Sequence, residues 1–485
     1  MDGSPVRRCK RPRACWQRRK EWCDLRKVFS AFFPGCVLVL GVADAFLVSG
    51  ALSLAALLTF GSDAGLFFTY YAGSAKIVIA TGLFLLSTYY AGLFEGGSFT
   101  SYREVWNGII RSLGLWILIL AVLNYARPIL IPPLRVLLLG AGLAAPLLMV
   151  WHRIFLTMIQ RRRVTEQALV LGSGQWAIDL AHEVEKRPDL GINLIGYVDP
   201  RGPVSSNGLR YLGTPNQLPD LISRNGIDQI VVAMAERRGV LPVEHLLALK
   251  KTGVQVLDGA DLYESAMGKV PVRWLKPSWL LSSPGFCISP VTLIYKRFVS
   301  IVGAALGLIV TAPLMLLTAL AIVLDSPGPA LLQQDRIGLG GKLFKLFKFR
   351  TMHVGNEKDR SFSPTQKQDP RVTRVGKWLR RTRLDELPQL YNILRGDMCF
   401  VGPRPFVPWQ EDVLVKQIPF YNQRWAVKPG ATGWAQVNHG YCVSVEDNIE
   451  KLGYDLFYIK NLSFAFDLLI LFKTTKILLL GRGAQ

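Results

Sequence analysis

Phe298-Val-Ser-Ile-Val-Gly-Ala-Ala-Leu-Gly-Leu-Ile-Val-Thr-Ala-Pro-Leu-Met-Leu-Leu-Thr-Ala-Leu-Ala-Ile-Val-Leu324 is an apolar run of 27 residues with Pro313 near its middle. About 20 such residues are enough to cross a bilayer core as a helix. Lys296 and Arg297 precede the run, and Arg336, Lys342, Lys345, Lys348 and Arg350 follow it. Lys and Arg concentrate on the cytoplasmic side of membrane segments, so basic residues at both ends put both ends in the cytoplasm. One straight helix cannot do that. A helix broken at Pro313 can, because proline withholds a backbone donor and disfavours helix in the residue before it. Such re-entrant backbone is tolerated where protein covers it or where it stays near the interface. We therefore expect a re-entrant helix–break–helix over 291–325; an ordinary fifth span, which would place the following residues on the far side, is the alternative.

The rest of the chain agrees with a membrane protein. Half of its 485 residues are apolar, only 19% are charged, and the mean hydropathy is +0.26. The formal charge of +22 could suggest nucleic acid as a partner, but the basic clusters flank apolar runs instead of interleaving with aromatics on a soluble scaffold. A lipid bilayer is the expected partner and nucleic acid is not. The seven cysteines are odd in number and scattered, without a CxxC pair, which fits reduced thiols and no structural metal. Residues 1–27 carry ten Lys and Arg and read as a cytoplasmic N-terminus; the basic stretch is too long, and no small-residue cleavage site follows the apolar run, for a signal peptide.

Four apolar segments near 32–58, 74–94, 109–126 and 136–156 make a four-helix transmembrane bundle over 28–163. The loop near 61–73 has no Lys or Arg, whereas Arg161, Arg162 and Arg163 follow the fourth segment, so four crossings return the chain to the cytoplasm. Arg127 and Arg135 oppose that scheme. From 164 to 290 the texture alternates between strand and helix: Gln167–Leu171, Asn193–Val198, Gln229–Ala233 and Val254–Leu257 read as strands of a Rossmann-like parallel sheet. Residues 326–485 form a last, mostly helical unit. It ends in Phe457–Leu480, an amphipathic stretch suited either to a helix at the membrane surface or to a packed core helix.

The chemistry concentrates in that last unit. Arg380-Arg-Thr-Arg-Leu-Asp-Glu-Leu-Pro-Gln389 sets two adjacent carboxylates, Asp385 and Glu386, behind three arginines. Nearby cations keep a carboxylate ionised, which suits a nucleophile or a metal ligand. Adjacent residues on a helix point about 100° apart, so the two acids do different jobs: one can attack phosphorus while the other holds a divalent ion. An acid pair beside arginines is, alone, more often a solvated salt-bridge cluster. Its company is what counts: Asp325-Ser-Pro-Gly-Pro329, Gln334-Asp-Arg-Ile-Gly338 and Phe347-Lys-Phe-Arg-Thr-Met352 upstream, Leu394-Arg-Gly-Asp-Met-Cys-Phe-Val-Gly-Pro-Arg-Pro405 and Lys428-Pro-Gly-Ala-Thr-Gly-Trp-Ala-Gln436 downstream.

With these motifs in this order, from about Lys296 to the C-terminus, the sequence resembles the polyprenyl-phosphate sugar-1-phosphate transferases, the monotopic phosphoglycosyl transferases that initiate bacterial exopolysaccharide, capsule and O-antigen assembly. The spans and the α/β module look like the family's long-chain form, and Ser444-Val-Glu-Asp447 with Tyr454-Asp-Leu-Phe-Tyr-Ile-Lys460 looks most like members serving exopolysaccharide clusters. The resemblance implies a multi-pass protein of the bacterial inner membrane, with its catalytic domain facing the cytoplasm. It implies transfer of hexose-1-phosphate, from UDP-glucose or UDP-galactose, to undecaprenyl phosphate with release of UMP. Asp385 matches the family's nucleophile, which carries the sugar-phosphate covalently until the lipid phosphate attacks. Glu386 matches its partner acid, linked with Mg²⁺ (or Mn²⁺), and Asp455 stands as a third candidate for the metal or the site's network. Arg404, Arg380, Lys348 and Arg350 are phosphate candidates; Arg404 is held between prolines and its fork can bind two oxygens. Pro429, Gly430, Thr432, Gly433 and Gln436 form the loop expected on the uridine side, with Gly430 and Gly433 permitting close backbone approach. The family commonly has Ser-Pro at its membrane break; here Ala312 replaces the serine while Pro313 is kept.

Gly172-Ser-Gly-Gln-Trp-Ala177 fits a dinucleotide fingerprint, and Asp199 ends the second strand where a ribose-binding acid would sit. No Tyr-x-x-x-Lys pair follows, which argues against an NAD-dependent dehydratase or epimerase and for a regulatory or assembly module. A non-enzymatic scaffold would leave the motifs of 325–436 unexplained. A homodimer and the downstream glycosyltransferases of a glycan cluster are further expected partners.

Overall fold

The computed structural model describes residues 35–93, 102–160, 166–187, 190–203, 209–234, 236–237, 240–275, 279, 286, 288–353, 371–440 and 444–479. The basic N-terminus 1–27 and Arg161, Arg162 and Arg163, which carry the orientation reading, lie outside them. The chain divides into two compact units, with the boundary between Met267 and Gly268.

The first unit opens with four long apolar helices: α1 (Gly35–Phe60), α2 (Gly73–Ala91), α3 (Tyr102–Ala126) and α4 (Leu134–Gln160). Each is long and apolar enough to cross a bilayer. α1 packs on α4 and α2 on α3. Small residues face inward where helices approach: a Cβ on Gly140 would meet Leu52, and one on Gly108 would meet Leu93. Large apolar side chains such as Phe46, Leu118 and Val150 point outward instead. A bundle apolar on the outside as well as within is what a hydrocarbon solvent demands. Its interior also holds one ionisable pair, Asp44 and His152, both buried, with His152 Nε2 3.1 Å from each Asp44 oxygen.

The same unit continues into a parallel five-stranded sheet of order β3-β2-β1-β4-β5, with β1 Glu166–Leu171, β2 Ile192–Val198, β3 Tyr211–Gly213, β4 Gln229–Val232 and β5 Gln255–Asp258. Between them run α5 (Gln175–Glu185), α6 (Leu218–Asn225) and α7 (Val243–Lys251), and α8 (Gly259–Met267) follows. Leu169, Leu171, Val198, Ile230 and Val232 form the core, the near-continuous apolar strands of a sheet covered on both faces.

The second unit starts earlier than the sequence reading placed it. Residues 268–275 pack here: Trp434 Nε1 donates to the Gly268 carbonyl at 2.7 Å, and the Val270 amide to the Gly453 carbonyl at 3.0 Å. Next comes α9 (Pro290–Asp325), the run quoted first, which continues through Pro313 as one helix of 36 residues. The helix is unbroken at Pro313, but proline withholds one backbone donor there and is the usual cause of a bend within a helix, so the two ends need not lie on one straight axis. Both ends of α9 anchor in this unit. At one, Lys296 Nζ reaches Asp467 Oδ2 at 2.7 Å and the Val401 carbonyl at 3.1 Å. At the other, Asp325 Oδ2 accepts the Val375 amide at 3.1 Å.

An antiparallel ribbon, β6 (Leu331–Ile337) and β7 (Leu343–Phe349), follows. Then come α10 (Arg374–Thr382), α11 (Gln389–Arg395), the short β8 (Cys399–Val401), α12 (Pro408–Gln417), β9 (Gly430–Thr432) parallel to β8, α13 (Val445–Lys460) and α14 (Phe464–Leu479). The amphipathic stretch 457–480 is thus two helices parted at Asn461. Phe457–Lys460 belong to the core, and α14 turns its charges inward: Asp467 and Lys476 are buried, while Phe464 and Leu468 are 55% and 57% exposed.

Candidate active site

Asp385 and Glu386 lie on a one-turn 3₁₀ helix, Leu384–Glu386, between α10 and α11. Thr373 starts α10 by accepting the Gly376 amide at 2.9 Å, a side-chain N-cap. α10 ends at Arg383, a non-glycine residue with φ +61°. Left-handed backbone costs an L-residue about 1–2 kcal/mol, and such strain clusters at functional sites. Here it reverses the chain so that the acid turn packs against β7.

The two acids are held differently. Glu386 Oε1 accepts from Arg404 Nη2 at 2.8 Å, with Arg383 at 3.9 Å. Burial pushes Glu386 up, but Arg404, Arg383 and Lys348 outweigh it and hold the carboxyl below its ordinary range. Asp385 has no hydrogen bond or ion pair with another side chain among the described residues. Burial first, and the Glu386 charge second, push its carboxyl up to about 6 against the pull of Lys348 and Arg380. One acid is clamped and the other is left open.

With Arg383, four more cations surround the pair. Lys348, on β7, is lowered to about 8, chiefly by burial and then by Arg336. Arg336, on β6, is lowered to about 10 by burial and by Arg404. Arg404 is 38% exposed and follows β8; Glu386 holds its guanidinium above the ordinary range. Arg380 Nε donates to Thr351 Oγ1 at 2.9 Å and lies close enough to lower Asp385.

Not every expected residue joins this cluster. Arg350 is buried and donates from Nη1 and Nη2 to backbone carbonyls at the end of α9, including Ser326 at 2.7 Å and Pro327, so these atoms fasten that helix end, while its Nε has no acceptor. Asp455 is 1% exposed and bonded to Arg424 Nε at 2.9 Å, away from a metal role beside the acids. The same Arg424 takes Glu411 at 3.3 Å and Tyr421 Oη at 2.6 Å, and its Nη2 donates to the Arg404 carbonyl at 2.9 Å. Burial raises both Asp455 and Glu411 against that neutralising guanidinium. Arg424 was not singled out from sequence. It sits in an aromatic stretch, and its acidic partners are 13 and 31 residues away, so only the fold brings them together.

The glycines of the 429–436 loop approach backbone. A Cβ on Gly430 would lie 2.1 Å from the Gly402 nitrogen, and one on Gly433 2.2 Å from the Gly402 carbonyl. The Gly402 amide donates to the Thr432 carbonyl at 2.9 Å, and Thr432 Oγ1 bonds Thr474 at 2.8 Å. Gln436 Nε2 turns back to the Ala431 carbonyl at 3.3 Å, leaving Oε1 without a partner, and Pro429 lines a small cavity with Arg404, Arg424 and Trp425. The loop's close packing therefore serves to hold the strand that delivers Arg404. In the α/β module, Gly172 has φ +123° and abuts Ala233, and Gly174 precedes α5. Asp199 is occupied internally, accepting from Ser173 Oγ at 2.7 Å and the Arg201 amide at 2.8 Å.

No group of three His, Cys, Asp or Glu side chains able to hold a metal exists among the described residues. Glu386 Oε2 has no partner among them, since Oε1 takes Arg404. That donor fits Mg²⁺ bound by one carboxylate and substrate phosphates, the usual arrangement for this ion; Asp455 does not fit it.

A family described as bacterial sugar transferase matches residues 291–481, and one described as CoA-binding domain matches 90–256. The chain is 42% identical over 225 residues to the UDP-N-acetylgalactosamine-undecaprenyl-phosphate N-acetylgalactosaminephosphotransferase of Aeromonas hydrophila, covering 46% of this chain and 52% of that one. It is 34% identical over 334 residues to the undecaprenyl-phosphate glucose phosphotransferase of Komagataeibacter xylinus, covering 68% and 62%. It is 47% identical over 186 residues to the UDP-glucose:undecaprenyl-phosphate glucose-1-phosphate transferase of Caulobacter vibrioides, covering 38% and 69%. The chain thus spans about half to two thirds of the length of the first two relatives. A Rex-family repressor structure aligns at 16% identity over 36% of this chain and 92% of that one, with a TM-score of 0.19, too low to bear on the reading.

Proposed function

Because this chain belongs to the bacterial sugar transferase family, we propose that it transfers a hexose-1-phosphate from a UDP-sugar to undecaprenyl phosphate, with Asp385 as nucleophile. The observation that carries this reading is the asymmetry of the acids: Glu386 is clamped by Arg404, while Asp385 is open and desolvated. A desolvated carboxylate without a partner is poised to attack, whereas a paired one is not.

In the first step an Asp385 oxygen attacks the β-phosphorus of the donor. The bond from that phosphorus to the bridging oxygen breaks, and UMP leaves with the electron pair. In the second step an oxygen of the lipid phosphate attacks the same phosphorus, and Asp385 departs as a carboxylate. Both transition states spread negative charge over phosphoryl oxygens, so fixed cations supply most of the stabilisation. Lys348, Arg380 and Arg404 are the groups for that task. Mg²⁺ or Mn²⁺, held by Glu386 and the donor phosphates, would neutralise diphosphate charge.

The membrane setting supports a lipid acceptor. Both ends of α9 anchor in the unit that carries the acids, whereas a straight crossing would part them by a hydrocarbon core of about 30 Å. At 1.5 Å per residue α9 would extend about 54 Å if straight. The outward apolar stripe of α14 suits the same interface. We therefore read α9 as re-entrant and the catalytic unit as cytoplasmic. The relatives' names include both glucose and N-acetylgalactosamine, so the test uses UDP-glucose, UDP-galactose and UDP-N-acetylgalactosamine. With undecaprenyl phosphate and Mg²⁺, wild type should release UMP and form lipid-linked sugar phosphate from one of them, and Asp385→Asn should form neither. A fully active Asp385→Asn would sink the mechanism.

A further inference from the structure

Arg336 is the cation at this site that the sequence motifs left without a role. It sits on β6, where the antiparallel register pairs Leu332 with Lys348, Gln334 with Leu346 and Arg336 with Phe344. Directly paired residues share a face, and alternate residues along each strand share it too. Arg336 and Lys348 therefore stand on one face of the ribbon, whose strand β7 packs against the acid turn. Arg336 Nη1 donates to the Pro405 carbonyl at 3.1 Å, beside Arg404, and Nη2 donates to Gln334 Oε1 at 2.7 Å. Its Nε is buried and has no acceptor. A charged donor buried without an acceptor is costly, and in a native site it marks a place for a missing partner.

The local charge makes that partner anionic. Lys348, Arg380 and Arg404 interact with Asp385, and Arg336, Arg383, Lys348 and Arg404 with Glu386, so five cations meet two carboxylates, one of them already bonded to Arg404. Arg336 forms no ion pair among the described residues; Glu386 is near enough to raise it, but burial and like-charged Arg404 outweigh that, and its charge also reaches Lys348. Desolvated like charges disfavour one another, and an anion between them would relieve that.

We propose that Arg336 is a phosphate-binding residue of this active site, completing with Lys348 a cradle for a phosphoryl group beside Asp385. The inference deepens the sugar-phosphate transfer reading and rests on it for the identity of the phosphate, which is either the donor diphosphate or the lipid monophosphate. The planar guanidinium brings Nε to the phosphoryl oxygens while its Nη atoms keep the loop after β8 in place.

The experiment compares wild type with Arg336→Lys and Arg336→Gln, as full-length protein in nanodiscs. Gln keeps a donor for the Pro405 carbonyl and discards the charge. Two readouts are taken: kcat and KM for each substrate, and the thermal shift produced by inorganic diphosphate, which needs no turnover. Arg336→Gln should melt as wild type does and lose roughly 100-fold or more in kcat/KM, the scale of removing one oxyanion donor. Arg336→Lys should recover part of that loss. The substrate whose KM rises identifies the phosphate, and the diphosphate shift should vanish in Arg336→Gln. Wild-type kinetics in Arg336→Gln, or a diphosphate shift as large as in wild type, would overturn the proposal. Silence of wild type with every donor, while the diphosphate shift still depends on Arg336, would fault the transfer reading and leave the phosphate cradle standing.

Discussion

Replacing Asp385 with asparagine should make the protein more stable at neutral pH and no more stable in acid. Asp385 ionises in the folded site at about 6, against 3.8 for a free aspartate. The sign follows from linkage: a folded-state pKa above the unfolded value favours the protonated form, so the stability it confers is full below about pH 4 and lost as pH rises through about 6. At pH 7.5 the ionised wild type therefore bears the cost of the whole shift, about 3 kcal/mol at about 1.4 kcal/mol per unit. Asparagine mimics the protonated acid in shape and avoids that cost. For a unit of about 200 residues this is roughly 6–12 °C in melting temperature. The assay is thermal unfolding of both proteins in nanodiscs with EDTA, at pH 4.0, 6.0 and 7.5 and one scan rate, since large proteins unfold irreversibly. The gain of Asp385→Asn should grow with pH across that series. A loss of stability at pH 7.5, or a gain equal at all three, would refute the account of Asp385 as an open, desolvated carboxylate.

Glu386→Gln should behave in the opposite sense, lowering the melting temperature at pH 7.5, because it removes a carboxylate that Arg404 and Arg383 hold ionised; a melting temperature equal to that of wild type would contradict the clamp. Arg424→Met should destabilise by about 3–5 kcal/mol, since breaking a buried pair strands its partners, here Glu411 and Asp455. Denaturation of the variant should also show loss of activity in whatever remains folded, because the Arg404 carbonyl loses its anchor. In the membrane bundle, Asp44→Ala should weaken thermal stability by leaving His152 buried alone, while the double replacement Asp44→Leu with His152→Leu should recover much of it. Equal losses in the single and double variants would show that the pair is not coupled.

The parts legible in the sequence are those in which one local pattern decides one outcome. The long apolar runs form helices long and apolar enough to cross a bilayer, and Leu169–Leu171 and Ile230–Val232 lie in buried strands. β3 was missed because three residues, Tyr211–Gly213, are too short to show a period. The β6–β7 ribbon was read only as motifs, although its register is what sets Arg336 and Lys348 on one face. Asp385 and Glu386 stand out by the motifs around them and the family resemblance those carry, but nothing local separates the open acid from the clamped one; that needs Arg404, 18 residues away. Arg350 and Asp455 stand out by type and motif membership, but their partners are set by the fold: Arg350 holds carbonyls after α9, and Asp455 pairs with Arg424, which in turn holds the Arg404 carbonyl. The 457–480 stretch was amphipathic as expected, but which face looks inward depends on neighbours: Lys296 and Tyr458 hold Asp467 inside, and that leaves Phe464 and Leu468 outside.

The central claim is that Asp385 carries the sugar-phosphate covalently between the two half-reactions. The most direct test is to incubate the protein with the accepted UDP-sugar and Mg²⁺ but no lipid acceptor, then quantify UMP and map modified peptides by mass spectrometry. The account predicts a burst of about one UMP per active site, the fingerprint of a covalent intermediate, with hexose-phosphate on Asp385 that disappears when undecaprenyl phosphate is added. UMP release that strictly requires the acceptor, or an adduct on any residue other than Asp385, would contradict it.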